Sequence, residues 1–336
     1  MRRILVALQG QQKNERRCAM SSIPPEMGSS PLPQGEGAPP GRTMHRVFIG
    51  PDGIRAGWRL AIAIAIFVSI LTVISILVVR VPHVRAWAAG GGPAALFFSE
   101  GMLAVALVLT VAVMKRIEGR SWADYGLPPN KAFGKRFWQG APYGFAMLSV
   151  LIGLMAASRV FSFGGRALTG GDALRYGLLY LAGFSMVAFF EEFSFRGYLQ
   201  ATLASGIGFW PAALLLALAF GALHLSNKGE AIFGAAMAGA FGLLAAFTLW
   251  RTGNLWFAIG MHGAWDWGES YFYGVPDSGV VLKGHLMNAV FHGPVWLTGG
   301  TVGPEGSILA AAVLGLAAMG IHYIFPKRPS SGDYVV

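Results

Sequence analysis

The amino-acid sequence predicts an all-α protein, a polytopic membrane helix bundle of about eight transmembrane helices. Two observations predict it. The chain has 336 residues, 54% of them hydrophobic and only 12% charged, a balance foreign to soluble globular domains. Its apolar runs repeatedly approach the ~20 residues that cross a bilayer as a helix.

The expected spans are 57–79, 93–114, 137–158, 173–203, 209–225, 230–250, 254–273 and 306–325. Each ends at residues that break helices. Gly90, Gly91, Gly92 and Pro93 separate the first two, and Leu127, Pro128, Pro129 and Asn130 precede the third. Gly164, Gly165, Gly170 and Gly171 lead into the fourth. Gly206, Ile207 and Gly208 turn the fourth back onto the fifth, and Gly253 with Asn254 opens the seventh. In the sixth, Gly234, Ala235, Ala238, Gly239 and Gly242 predict close helix packing, because small side chains let backbones approach. The stretch 274–305 is punctuated by Gly and Pro and carries His285 and His292. It reads as a long extramembrane loop.

Residues 1–50 are rich in Pro, Gly, Ser and Gln, a composition that buries no core and predicts disorder. Met44, close to the first span, is the expected start of translation. Residues 51–326 form the expected transmembrane domain and 327–336 a cytoplasmic tail. The formal charge of +10 is a topology signal rather than a nucleic-acid footprint, since no basic stripe interleaves with aromatics. Arg42, Arg46, Arg55 and Arg59 precede span one. Lys115, Arg116, Arg120, Lys131, Lys135 and Arg136 lie between spans two and three, and Lys327 and Arg328 follow span eight. The alternate loops are poorer in Lys and Arg, so both termini are expected in the cytoplasm. Loop style suggests a bacterial inner membrane. Cys18, the only cysteine, excludes intrachain disulfides and cysteine-based metal sites.

Span four carries Phe189, Phe190, Glu191, Glu192, Phe193, Ser194, Phe195 and Arg196. A charge at membrane depth costs roughly 2.5 kcal/mol or more unless it is paired or solvated. Glu192 and Arg196 are four residues apart, share a face and are expected to pair. Glu191 is turned ~100° from Glu192 and is expected to face the bundle interior. Span five supplies Phe220 and His224, again four apart. If spans four and five form an antiparallel hairpin, Glu191 and His224 lie at similar depth. Span seven supplies His262 and Asp266 on one face, and Glu269 continues that stripe. Each pair also fits plain helix-to-helix packing; together they suggest a pocket.

The ordered set Glu191, Glu192 and Arg196, then Phe220 and His224, then His262 and Asp266 resembles the motifs of the CPBP family. These are CAAX-protease and bacteriocin-processing membrane proteins, also called the Abi family of intramembrane glutamic endopeptidases. The resemblance covers roughly 130–275 by motif. One departure stands out: the last position is often Asn in that family and is Asp266 here. The resemblance implies metal-independent hydrolysis of a peptide bond near the membrane, in a CAAX-type or bacteriocin-type substrate, with no cofactor or metal. Glu191, His224, His262 and Asp266 would be catalytic and Glu192, Arg196 and Phe220 supporting. Glu191 and His224 would activate a water. His262, positioned by Asp266, would stabilise the oxyanion. The expected partners are membrane lipid and a peptide or lipidated peptide, with no nucleic acid.

Rival chemistries find less support in the residues. No His-Glu-x-x-His pair is present for zinc, and no Gly-x-Ser-Gly for a serine nucleophile. Two alternatives stay open. The same acids and histidines suit a zinc-dependent membrane protease. They also suit a non-catalytic scaffold, an immunity or regulatory protein, or a proton relay.

Overall fold

The computed structural model describes residues 47–50, 53–89, 92–227, 229 and 232–326, with no side-chain description for 87–89. The expectations for the N-terminal segment up to 46 and for the tail 327–336 lie outside these residues. A small antiparallel pair, β1 (Ile49–Gly50) and β2 (Gly53–Ile54), leads into the first helix.

The chain is an all-α membrane bundle. Five helices are long and apolar enough to span a membrane, and shorter apolar helices complete the set. They are α1 (Ala56–Val79), the short α2 (Pro82–Ala89), α3 (Gly92–Glu118), α4 (Lys135–Ala157) and, after strand β3 (Phe161–Arg166), α5 (Gly170–Ile207). Then come α6 (Phe209–His224), α7 (Ile232–Thr252) and α8 (Leu255–Trp267). The last part holds β4 (Met287–Phe291), the short α9 (Val295–Thr298) and α10 (Ile308–Ile324). The eight expected spans coincide with α1, α3 to α8 and α10. Helix α2 and the pairing of β3 with β4, which joins Phe161 to Phe291, were not foreshadowed.

The outer faces carry exposed apolar side chains such as Val68, Ile76, Leu214, Leu218 and Leu316, as helices facing lipid require. Close approach inside the bundle rests on glycine. A Cβ on Gly140 or Gly144 of α4 would run into the Phe257 or Met261 carbonyl of α8. Gly239 of α7 lies against the Ala217 carbonyl of α6, and Gly221 of α6 against that of Ala235, so the small residues of span six do serve tight packing. Gly144→Leu is expected to force α4 away from α8 and cost about 1–3 kcal/mol of overpacking. It should also lower activity, because Met261 adjoins His262. Thermal unfolding in detergent measures the first effect; a variant as stable as the parent would show that this contact is slack.

At one end of the bundle, Glu118 gathers an ionic cluster that locks three helices together. Arg59 of α1 lies 3.2 Å from its carboxylate. Tyr198 of α5 donates to it at 2.7 Å and Tyr125 at 3.3 Å. Arg59 also donates to Ser205. Burial and the Glu118 charge push the Tyr125 phenol up.

Candidate active site

Six helices converge on a cavity of about 440 Å³, and four of them bring its titratable groups. Helix α5 brings Glu191, α6 brings His224, α8 brings His262 and Asp266, and α3 adds Glu100. Right after the acidic pair, α5 widens into a π-helical turn over Phe193–Leu199. Helix α8 does the same over Gly268–Tyr273, just past Asp266. Such turns insert one extra residue and recur at functional sites.

Glu191 and Glu192 divide the work, as expected from their ~100° separation. Glu191 faces the cavity with its side chain 27% exposed. Glu192 is fully buried. Arg196 Nη1 lies 3.4 Å from Glu192 Oε1, and Arg196 Nε donates to the Gly242 carbonyl at 3.1 Å. The guanidinium sits flush against Gly242, where a Cβ would strike it. Its carbon lies 4.4 Å from the Phe220 ring centroid, an attractive cation–π geometry.

Phe220 connects this ion pair to His224. Its ring lies 4.6 Å from the imidazole, and its carbonyl is 2.8 Å from His224 Nδ1. A carbonyl only accepts, so Nδ1 carries the proton and Nε2 is left as the acceptor nitrogen. His224 and Glu191 line the same cavity.

His262 is held differently from the expectation that spacing suggests. Its Nδ1 donates to Glu192 Oε1 at 2.9 Å. Its Nε2 is 3.5 Å from Asp266 Oδ2 and 3.7 Å from Glu191 Oε2. The short hydrogen bond thus comes from Glu192, and Asp266 contributes a longer charge contact. Glu192 serves two partners at once, Arg196 and His262.

Glu269 does not extend the His262 and Asp266 stripe. It begins the π-helical turn, is fully buried, and its carboxylate gathers with those of Asp277 and Glu305 from the following loop. That loop folds back to wall the cavity with Asp277, Ser278 and Glu305. Burial and the nearby Glu305 charge push the Asp277 carboxyl up to about 7. Ser194 is tied to backbone, donating to the Phe190 carbonyl at 2.6 Å. Glu100 went unnoticed in the sequence. It lines the cavity near enough to Glu191 for the two charges to interact.

With three motifs on one cavity, a family model matches the segment that carries them. Residues 173–268 match the family model Rce1-like, Type II CAAX prenyl endopeptidase Rce1-like. The resemblance read from the motifs is borne out over that segment, which holds all seven motif residues named above. No curated protein matches the chain. The family that this model describes is one of CAAX prenyl endopeptidases. The apolar helices make the protein an integral, multi-pass membrane protein.

Proposed function

We propose that the protein is a metal-independent intramembrane glutamic endopeptidase acting on a lipid-tethered peptide. One observation carries this reading: Glu191, His224, His262 and Asp266, from three helices, line a single cavity. His224 offers a water only Nε2, as an acceptor, since Nδ1 is committed to the Phe220 carbonyl. Held between that nitrogen and the Glu191 carboxylate, the water gives its proton to Glu191 and its oxygen attacks the scissile carbonyl carbon. The carbonyl oxygen becomes an oxyanion, and His262, acting as an imidazolium among the Glu191, Glu192 and Asp266 carboxylates, stabilises it by donating from Nε2. The intermediate collapses, the peptide C–N bond breaks, and Glu191 returns the proton to the leaving amine. Glu192 and Arg196 position His262 and the start of the π-helical turn.

The zinc alternative is less favoured by geometry. Among the described residues, the ligand atoms that converge as a metal would need belong to Glu269, Asp277 and Glu305, not to the four proposed catalytic groups. A lipid-tethered substrate is favoured by a second cavity of about 600 Å³, whose apolar wall includes Trp210, Leu243 and Phe247. It shares Met237 and Leu314 with the first, so a peptide and its lipid chain have adjoining places. Positive charge on alternate loops supports cytoplasmic termini, and loop style supports a bacterial inner membrane.

The test uses purified full-length protein in detergent with prenylated and unprenylated forms of one peptide, before and after thorough chelation. Cleavage is expected to favour the prenylated form, to survive chelation, and to fall at least ~100-fold in His224→Ala, the lower range for losing an acid–base partner. Cleavage abolished by chelation and restored by zinc would establish the metalloprotease instead. No cleavage, with a bound partner retained in His224→Ala, would establish the scaffold.

A further inference from the structure

Glu269, an acid in the π-helical turn after α8 that the proposed chemistry leaves unused, is 0% exposed. No donor reaches either of its carboxylate oxygens at hydrogen-bonding geometry, although the Trp265 side chain lies close. A buried carboxylate without partners is costly, and the charges around it deepen the cost. Asp266, Asp277 and Glu305 all add negative potential at Glu269.

The two loop carboxylates are held in place from outside the cluster. Ser270 Oγ donates to Asp277 Oδ2 at 2.9 Å. The backbone N–H and hydroxyl of Ser278 donate to Glu305 Oε1 at 2.6 and 2.8 Å. Glu269, Asp277 and Glu305 each offer an oxygen, and those oxygens lie within 4.8 Å of one another. Calcium binds carboxylate oxygens at about 2.3–2.6 Å, so a small closing of the three oxygens brings all of them within reach of one ion. Cavity water is available for its remaining positions, since Asp277 and Glu305 also line the cavity.

We propose that Glu269, Asp277 and Glu305 form a binding site for a hard divalent cation the size of Ca²⁺. The ion links the end of the α8 segment to the loop at Asp277 and to the chain leading into α10, fixing one wall of the cavity. The ligands are all oxygens, which selects hard cations over zinc. The site is independent of the peptidase reading: none of its three carboxylates has a role in the hydrolysis.

The probe is Tb³⁺, a Ca²⁺ mimic excited through nearby tryptophan, titrated into chelator-stripped full-length protein in detergent. Trp265 beside Glu269 is the expected donor. Sensitised emission should saturate at one ion per chain, be displaced by Ca²⁺, and weaken at least tenfold in affinity in Glu269→Gln and Asp277→Asn. Calcium should raise the thermal midpoint of the parent and not of the variants. Absence of saturable emission from the folded parent overturns the proposal, as does undiminished affinity in Asp277→Asn. If Glu269→Gln fails to fold, the loop substitution Asp277→Asn decides alone. A Glu269→Gln protein more stable than a parent that binds no Tb³⁺ would instead establish a cluster neutralised by protons.

Discussion

Glu191→Gln is expected to slow peptide hydrolysis by about 10²–10⁴-fold, the usual worth of a positioned general base. The amide keeps the size of the carboxylate and loses its ability to take a proton from water. Stability should hardly change, because the Glu191 side chain is partly exposed to the cavity and has no short hydrogen bond to lose; its 3.7 Å approach to His262 Nε2 is a charge contact. That separates this position from its neighbour. Glu191→Asp should recover a fraction of the rate, since the shorter acid still accepts a proton from a displaced position. Initial rates on a prenylated peptide, read beside thermal midpoints, supply the measurement. Parent-like turnover in Glu191→Gln would remove Glu191 from the reaction and, with it, the proposed mechanism.

The second large effect falls on folding. Arg196→Met leaves Glu192 as a buried carboxylate with no guanidinium beside it. Breaking a buried pair from one side typically costs about 3–5 kcal/mol. Arg196 also loses its bond to the Gly242 carbonyl and its place over the Phe220 ring, so His224, whose imidazole packs at a tilt against that ring, is expected to shift as well. The double variant Glu192→Gln with Arg196→Met should regain much of the loss, because glutamine is neutral and still offers an oxygen to His262 Nδ1. Unfolding followed by tryptophan fluorescence checks both. A double variant no more stable than Arg196→Met would mean that the guanidinium matters for packing rather than for charge.

Much of the site was legible from spacing within single helices. The Glu192 and Arg196 pair follows from four-residue arithmetic, and the inward turn of Glu191 from the angle between adjacent residues. The tight packing of α7 followed from its glycines and alanines. What spacing misses is contact between helices. His262 and Asp266 share a face, yet the closest partner of His262 is Glu192, seventy positions earlier. Glu269 was placed on the His262 stripe because regular helical pitch was assumed, and the π-helical turn that starts at Gly268 ends that pitch. Glu100 carried a usable signal: a lone acid inside an apolar span is as costly as Glu191, and the same reasoning flags it. The β3 and β4 strands pair across more than a hundred residues through short segments, β3 carrying Gly164 and Gly165 and β4 only five residues long. No local periodicity announces such a pairing.

The wide turn in α5 makes chain length as consequential there as chemistry. Removing any one residue between 193 and 199 would wind the segment back to ordinary pitch and swing its two halves ~100° against each other. With Tyr198 pinned to Glu118 at one end, the acids at the other would leave the chamber. A single-codon deletion in this stretch is therefore a harsher lesion than most substitutions.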